Sequence, residues 1–453
     1  MNYDFFEEGE QENNVERIPA TPQSNKKPVK KKLNWKKIWT AAGIAVLAFV
    51  CGSFATWMAL DPEIRTLLTV KNKIQEEYYQ EVTDEDFYKV IFGGINNQLL
   101  DPYSRYMTKE EVEASIADLD GNRIGMGLVL TSSGENPLRV VRVCGNSPAE
   151  AAGIVAGERI IGYGTTEAEI TPATTFDAFS AFLQGFEEKE EFVLKLQSGD
   201  NTRFVSVYKA SYMENFVFYR SNKSAYTFMG EAAEIITEGG EPLSYLDEDT
   251  AYIDLVQFSG NAAKGFDLAM AQFKSEGKKN LILDLRGNGG GYLDTMRSIA
   301  SYFCKNTTAS KPVVAVADYG DKRTSYQAYG NYYYDYFTDE SSIYVLADNY
   351  TASASECLIG CMLDYGATTF SNICIAEREG ISKTYGKGIM QETYLVNLFE
   401  QDAITLTTAE IRWPVSDRSI HGRGILPEDG VKTVAENIDY DKETEKAIQE
   451  LLG

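Results

Sequence analysis

From Ile38 to Leu60 the chain runs 23 residues without a charged side chain. At about 1.5 Å per residue, a helix of that length crosses a hydrocarbon core of roughly 30 Å. A block of lysines precedes it, from Lys26 to Lys32 with Lys36 and Lys37, and no such cluster follows it closely. Trp39 and Trp57 stand near the two ends, where amphipathic rings favour a membrane interface. The pattern predicts one transmembrane segment over 38–60, with the basic tail 1–37 inside and everything after Leu60 outside. A cleaved leader is the rival, with Ser53-Phe54-Ala55 as its cleavage site. The long basic lead-in and the length of the apolar run favour an uncleaved anchor at the cell membrane.

The other 393 residues exceed one ordinary core, so two or three folded units are expected. The net charge is -24. Residues 1–60 contribute +2, from eight basic and six acidic side chains, which leaves -26 on the body. An acidic body excludes a nucleic-acid partner, whose footprint would be a basic face. It also predicts that acidic ligands are disfavoured, within a screening range of about 10 Å. Cys51 lies in the span, and Cys144, Cys304, Cys357, Cys361 and Cys374 follow it. Five cysteines cannot all pair, so buried thiols are expected. The single histidine, His421, and the scattered cysteines argue against a metal site, and no cofactor is predicted.

Residues 1–37 are polar and lack periodicity, which predicts an unstructured tail. Residues 61–118 read as helical, with apolar positions at threes and fours and a turn at Asp101-Pro102-Tyr103-Ser104-Arg105-Tyr106. Residues 119–211 change to short apolar strands and one helix, Phe176–Phe186. Here Ile124-Gly125-Met126-Gly127 and Ser147-Pro148-Ala149-Glu150-Ala151-Ala152-Gly153-Ile154 resemble a PDZ domain. That resemblance implies a peptide-binding loop at Ile124, Gly125, Met126 and Gly127, with Phe179 and Phe182 lining an apolar pocket. Residues 212–437 alternate strands and helices, as a layered α/β domain would. An amphipathic helix fills 438–453.

Three further motifs lie in the α/β part: Leu283-Asp284-Leu285-Arg286-Gly287-Asn288-Gly289-Gly290-Gly291, Ser353-Ala354-Ser355-Glu356 and Thr384-Tyr385-Gly386-Lys387-Gly388. With Arg418-Ser419-Ile420-His421-Gly422-Arg423-Gly424-Ile425 they stand in an order that resembles the carboxyl-terminal processing proteases, or tail-specific proteases, from about residue 65 to 436. The resemblance implies an α/β crotonase- and ClpP-like layered core carrying an inserted PDZ domain. It also implies a serine–lysine dyad of Ser353 and Lys387, with Gln391 orienting the lysine. Backbone N–H groups of Gly290 and Ala354 would form the oxyanion hole.

Local readings compete with these roles. Ser353-Ala354-Ser355-Glu356 is also a helix capping box, and beside a catalytic Ser353 the capper would be Ser355. Lys383 is a rival lysine without flanking glycines. His421 could serve as a base, but it falls in a glycine turn that suits a structural part. The glycine loop lacks the proline of the family's usual Asn-Asn-Pro-Gly-Gly. Ser353 and Lys387 are 34 positions apart, about nine more than is usual there, and the excess is expected in a surface loop within 368–381.

The expected protein is therefore a single-pass membrane serine endopeptidase with its peptidase part outside the cytoplasm. It would select protein substrates by accessible C-terminal tails, and it leaves room for a homo-oligomer. The alternative is a catalytically silent PDZ scaffold at the envelope.

Overall fold

A computed structural model describes residues 35–130, 138–155, 157–229, 235–238, 241–396, 401–437 and 440–452. The basic tail before Trp35 lies outside them. The chain divides into two compact units, Met1–Lys89 and Val90–Gly453.

In the first unit, α1 (Trp35–Ala59) is a 25-residue helix long and apolar enough to cross a membrane. It includes Trp35, Lys36 and Lys37, ahead of the predicted span. Helix α2 (Pro62–Glu77) begins with Pro62 in its first turn, and the Asp61 carboxylate accepts from the Glu63 N–H at 3.0 Å. Helix α3 (Asp84–Gly94) runs across the division between the units.

The second unit opens with β1 (Arg105–Met107), α4 (Lys109–Asp120), β2 (Asn122–Gly125), β3 (Leu128–Leu130) and β4 (Val140–Val143). Arg105–Met107 reads from sequence as part of a turn and helical region. It is a strand because it pairs antiparallel with residues 403–405, a partner no local pattern reveals. Thr108 opens α4 in a capping box with Glu111 as its second member. Next come α5 (Pro148–Ala151), β5 (Arg159–Gly164), β6 (Ile170–Pro172), α6 (Phe176–Gln184), β7 (Glu191–Ser198), β8 (Asn201–Tyr208) and β9 (Ala210–Met213). Strands β6-β5-β7-β8 form one antiparallel sheet, and β2–β9 and β3–β4 are separate pairs. This β-rich stretch has its own core, in which Ile160, Phe179, Phe192, Leu194 and Leu196 are buried.

The remainder comprises β10 (Val217–Arg220), β11 (Ala225–Met229), β12 (Ile235–Glu238), β13 (Thr250–Leu255), α7 (Ala262–Ser275), β14 (Asn280–Asp284), α8 (Leu293–Ala300), β15 (Val313–Asp318) and β16 (Arg323–Gln327). It continues through α9 (Tyr333–Tyr336), β17 (Ile343–Asp348), α10 (Ala354–Asp364), β18 (Ile373–Ala376), β19 (Ile389–Leu395), β20 (Ala403–Arg412), β21 (Lys432–Val434) and α11 (Tyr440–Leu452). Eight strands make the main sheet in the order β12-β11-β10-β13-β14-β17-β18-β21, parallel from β13 onward. A second sheet runs β1-β20-β15-β16, with β19 also on β20.

The central strands are buried on both faces, and their side chains alternate between two cores. Ile253, Leu283, Val345 and Ile375 join the core with α7, α8 and α10. Tyr252, Ile282, Leu346 and Cys374 face the opposite way, onto Ala447, Ile448 and Leu451 of α11. The last helix thus closes the back of the sheet. Within 368–381, Ile373–Ala376 is a buried inner strand and Arg378 is buried, while Glu379, Gly380 and Ile381 are exposed between β18 and β19.

Candidate active site

Ser353 sits at the junction where β17 gives way to α10. Its backbone has φ of 58° and ψ of -116°, a conformation that side-chain-bearing residues rarely adopt. Such a residue costs about 1–3 kcal/mol and persists only where its surroundings hold it. They do so here. The Ala352 N–H donates to the Asn288 carbonyl at 3.0 Å, and the Ser355 hydroxyl donates to the same oxygen at 2.9 Å. Ser355 is therefore a buttress of the glycine loop rather than the helix capper expected from sequence. The turn resembles the strained strand-to-helix elbows that present nucleophiles.

The glycine loop 287–291 lies against that elbow. Gly290 has φ of 103°, and a Cβ there would stand 2.7 Å from Ser353 Cβ and 2.9 Å from the Ala354 nitrogen. Only a glycine permits the approach. The Gly290 N–H, however, donates to Asn288 Oδ1 at 2.9 Å, and Asn288 Nδ2 donates to the Leu255 carbonyl at 2.6 Å. The expectation that Gly290 offers an open N–H is corrected accordingly: a side chain two residues back already holds it. The Ala354 N–H, at the first turn of α10, has no partner among the described residues.

Lys387 enters from the loop before β19. A Cβ on Gly386 would lie 2.9 Å from the Gly424 nitrogen, and one on Gly388 would lie 2.8 Å from the His421 nitrogen. The flanking glycines let this segment pack on the 420–424 turn. His421 contributes backbone there while its side chain is exposed, and Lys383 donates to the Arg423 carbonyl at 3.3 Å. Lys387 Nζ donates to Gln391 Oε1 at 2.8 Å and lies 5.0 Å from the centre of the Tyr103 ring. Gln391 Nε2 in turn donates to the Tyr103 carbonyl, which fixes the amide so that its oxygen faces the lysine. Burial pulls the Lys387 ammonium below its ordinary range, and the Asp101 carboxylate opposes that shift. If the free amine is the active form, kcat/KM rises with pH as the proton leaves, with a midpoint below that of a free lysine. Asp101→Asn removes the opposing charge and should move that limb to lower pH. A pH–rate profile in which the limb stays put or moves up would rule out Lys387 as the titrating base.

Sequence reasoning gave Glu356 only a capping part, yet it joins the two halves of the site. Its buried carboxylate accepts from the Ser353 N–H at 3.1 Å, the Lys387 N–H at 2.9 Å, the Gly386 N–H at 2.8 Å and the Thr384 hydroxyl at 2.6 Å. Burial raises its pKa, and these hydrogen bonds work against the rise. Its place three residues after Ser353 is visible in the sequence. Its partners some thirty residues on are not.

Ser353, Ala354, Gly290, Lys387 and Gln391 all line one cleft of about 930 Å³. The charged residues of that lining are Arg105, Arg142 and Lys387, with no carboxylate among them. Of the expected peptide-binding residues, Ile124, Gly125, Met126 and Gly127 line a second cavity of about 550 Å³. Phe176, Phe179 and Leu183 of α6 form its other wall. Phe182 does not join them, because it packs on Tyr163, Phe186 and Phe192. Arg142 borders both cavities and pairs with the buried Glu214, which also pairs with Arg123. Among the described residues, no three His, Cys, Asp or Glu side chains are grouped to hold a metal ion.

The sequence model of Peptidase family S41 matches residues 249–431, a stretch that includes the glycine loop, Ser353 and Lys387. A probable CtpA-like serine protease of Staphylococcus epidermidis is 25% identical over 426 residues, covering 91% of this chain and 76% of that protein. One of Staphylococcus saprophyticus is 24% identical over 375 residues, covering 82% of this chain and 66% of its own length. Among solved structures, a photosystem II D1 C-terminal processing protease aligns at a TM-score of 0.47 with 23% identity, covering 80% of this chain and 85% of the other. A putative S41 protease from Bacteroides fragilis aligns at 0.49 with 17% identity, covering 81% and 86%. Residues 249–431 thus match the model of peptidase family S41, and the chain is a serine-type peptidase.

Proposed function

We propose that this chain is a membrane-anchored endopeptidase that selects proteins by their C-terminal tails and hydrolyses them with Ser353 and Lys387. The observation that carries the reading is Glu356, whose one carboxylate ties the backbone of the strained Ser353 to the backbone of the partly buried Lys387. In this reading a neutral Lys387 donates one N–H to Gln391 and keeps its lone pair for the Ser353 hydroxyl. Ser353 Oγ attacks the scissile carbonyl as Lys387 takes its proton. The Ala354 N–H and the positive end of α10 receive the oxyanion. The lysine then protonates the leaving amine, and water releases the acyl group by the same steps in reverse.

Substrate selection rests on the second cavity, read as the groove of a PDZ domain. Strand β3 is paired only with β4 among the described residues, so a peptide could add along its other edge. The tail's carboxylate would meet backbone N–H groups of the Ile124–Gly127 loop. The lining of this cavity holds Arg123 and Arg142 together with Asp118, so any preference against acidic tails would come from the rest of the acidic body, which screening weakens beyond about 10 Å. Helix α1 and the lysines before it support an anchor with the peptidase outside.

Amidating the C-terminus of a protein that the enzyme cleaves should raise its apparent KM with little change in kcat. Equal cleavage of the free acid and the amide would remove tail recognition from the reading. The silent-scaffold alternative is disfavoured by the similarity to serine proteases.

A further inference from the structure

We propose that Glu443, on the last helix, is a positioning residue for the peptidase site, acting through two buried arginines. The family match ends at residue 431, before this helix begins. Glu443 and Thr444 are buried, and Glu443 Oε1 accepts from Arg286 Nη1 at 2.8 Å and from Arg378 Nη2 at 2.7 Å. Its Oε2 accepts from Arg378 Nη1 at 2.8 Å and from the Asn437 N–H at 2.9 Å.

Each arginine leads to one of the two segments that meet at Ser353. Arg286 is the residue before the glycine loop. Its guanidinium is clamped by Asp284, Thr444 and Glu443, with the Tyr440 ring stacked 4.1 Å away. Arg378 Nε donates to Asp348 Oδ2 at 3.1 Å. The other oxygen of Asp348 accepts from the Gly287 N–H at 3.0 Å and the Tyr350 N–H at 2.9 Å. Asp348 therefore bonds the glycine loop to the segment that leads into Ser353. One carboxylate on α11 holds both arginines in register with these two segments. A buried charge kept between two arginines is poor value as a stabiliser, since desolvation offsets most of its attraction. Holding the glycine loop against the segment that carries Ser353 and Ala354 is a role that accounts for it.

The inference rests on Ser353 being the nucleophile, so Ser353→Ala is the reference variant. In the full chain, Glu443→Gln should lower kcat about 10- to 100-fold and leave KM within about twofold, as sub-ångström misplacement of catalytic groups does. Ile448→Ala, on the same helix but in the apolar core, controls for loose docking of α11. It should keep the wild-type kcat at a temperature where circular dichroism shows both variants folded. A wild-type kcat in Glu443→Gln, or an equal loss in Ile448→Ala, overturns the proposal. If Glu443→Gln does not fold, Arg378→Lys carries the test, because lysine keeps the charge but cannot span Glu443 and Asp348. An unchanged kcat there overturns it as well. Activity surviving in Ser353→Ala would instead remove the nucleophile assignment, and the two failures are told apart by that variant.

Discussion

Replacing Ser353 with alanine should reduce kcat/KM for a tail-bearing protein by about 10⁴-fold or more, to the level of uncatalysed hydrolysis plus binding. Lys387→Ala should do nearly the same. A serine without its base has no route for the proton, and a base without its serine has nothing to activate. The double variant should be no worse than either single one, because the two groups act as one unit. Folding should survive both changes. Ser353 occupies a strained backbone position, so alanine there relieves no strain and opens no large cavity. Losing Lys387 Nζ frees a partly buried cation whose burial opposes its charge. A phosphonate probe that labels serine nucleophiles should mark the wild type at Ser353, with faster labelling as pH rises. Cleavage persisting in both single variants would assign the chemistry elsewhere in the cleft.

The parts of this site that were legible in the sequence are those encoded within a few residues. The apolar strand leading into Arg286-Gly287-Asn288-Gly289-Gly290-Gly291 and the small-residue turn at Ser353 announce themselves by composition. The glycines beside Lys387 point to close backbone approach, and the structure shows what approaches: the 420–424 turn. Helix α7, Ala262–Ser275, buries Phe266, Met270 and Phe273 at the spacing of one helix face, a pattern carried within its own sequence. What remained illegible depends on partners distant in sequence. Nothing near Arg105 says that it will pair with residue 405. Nothing near Asn288 says that its side chain will cap the Gly290 N–H, since the same Gly-Asn-Gly could turn it outward to water. The excess length within 368–381 is expected in a surface loop, where an insertion is cheapest. Yet Ile373-Cys374-Ile375-Ala376 is a short apolar run of the kind that fills a buried parallel strand. The charges of Arg286, Arg378 and Glu443 read as solvated when taken singly. Buried together, they satisfy one another, and only the fold brings them together.

Glu356→Ala should be the most damaging single change to the architecture of the site. It leaves the N–H groups of Ser353, Gly386 and Lys387 and the Thr384 hydroxyl without their shared acceptor. Each buried donor left unpaired costs about 1–3 kcal/mol, though neighbouring losses do not simply add. We take about 3–5 kcal/mol as the expected loss here, less than the sum over the four donors. In a domain of this size that lowers Tm by about 10 °C. Glu356→Gln separates stability from activity. The amide oxygen can still serve one pair of donors, while its NH2 must face the other pair. If the NH2 faces Thr384 and Gly386, the threonine hydroxyl can turn to accept from it and one conflict remains. If it faces Ser353 and Lys387, two donors confront a third. Both arrangements shift Ser353 relative to Lys387, so kcat should fall about 10²-fold, as a displacement of about 1 Å would cause. KM should change little, because Glu356 lies beneath the cleft and not in its lining. Thermal melting of the glutamine variant should meanwhile show a smaller loss than the alanine variant. If kcat in Glu356→Gln equals that of the wild type, the carboxylate does no more than cap its helix, and the link between the two halves of the site must be sought in the backbone contacts of the 420–424 turn instead.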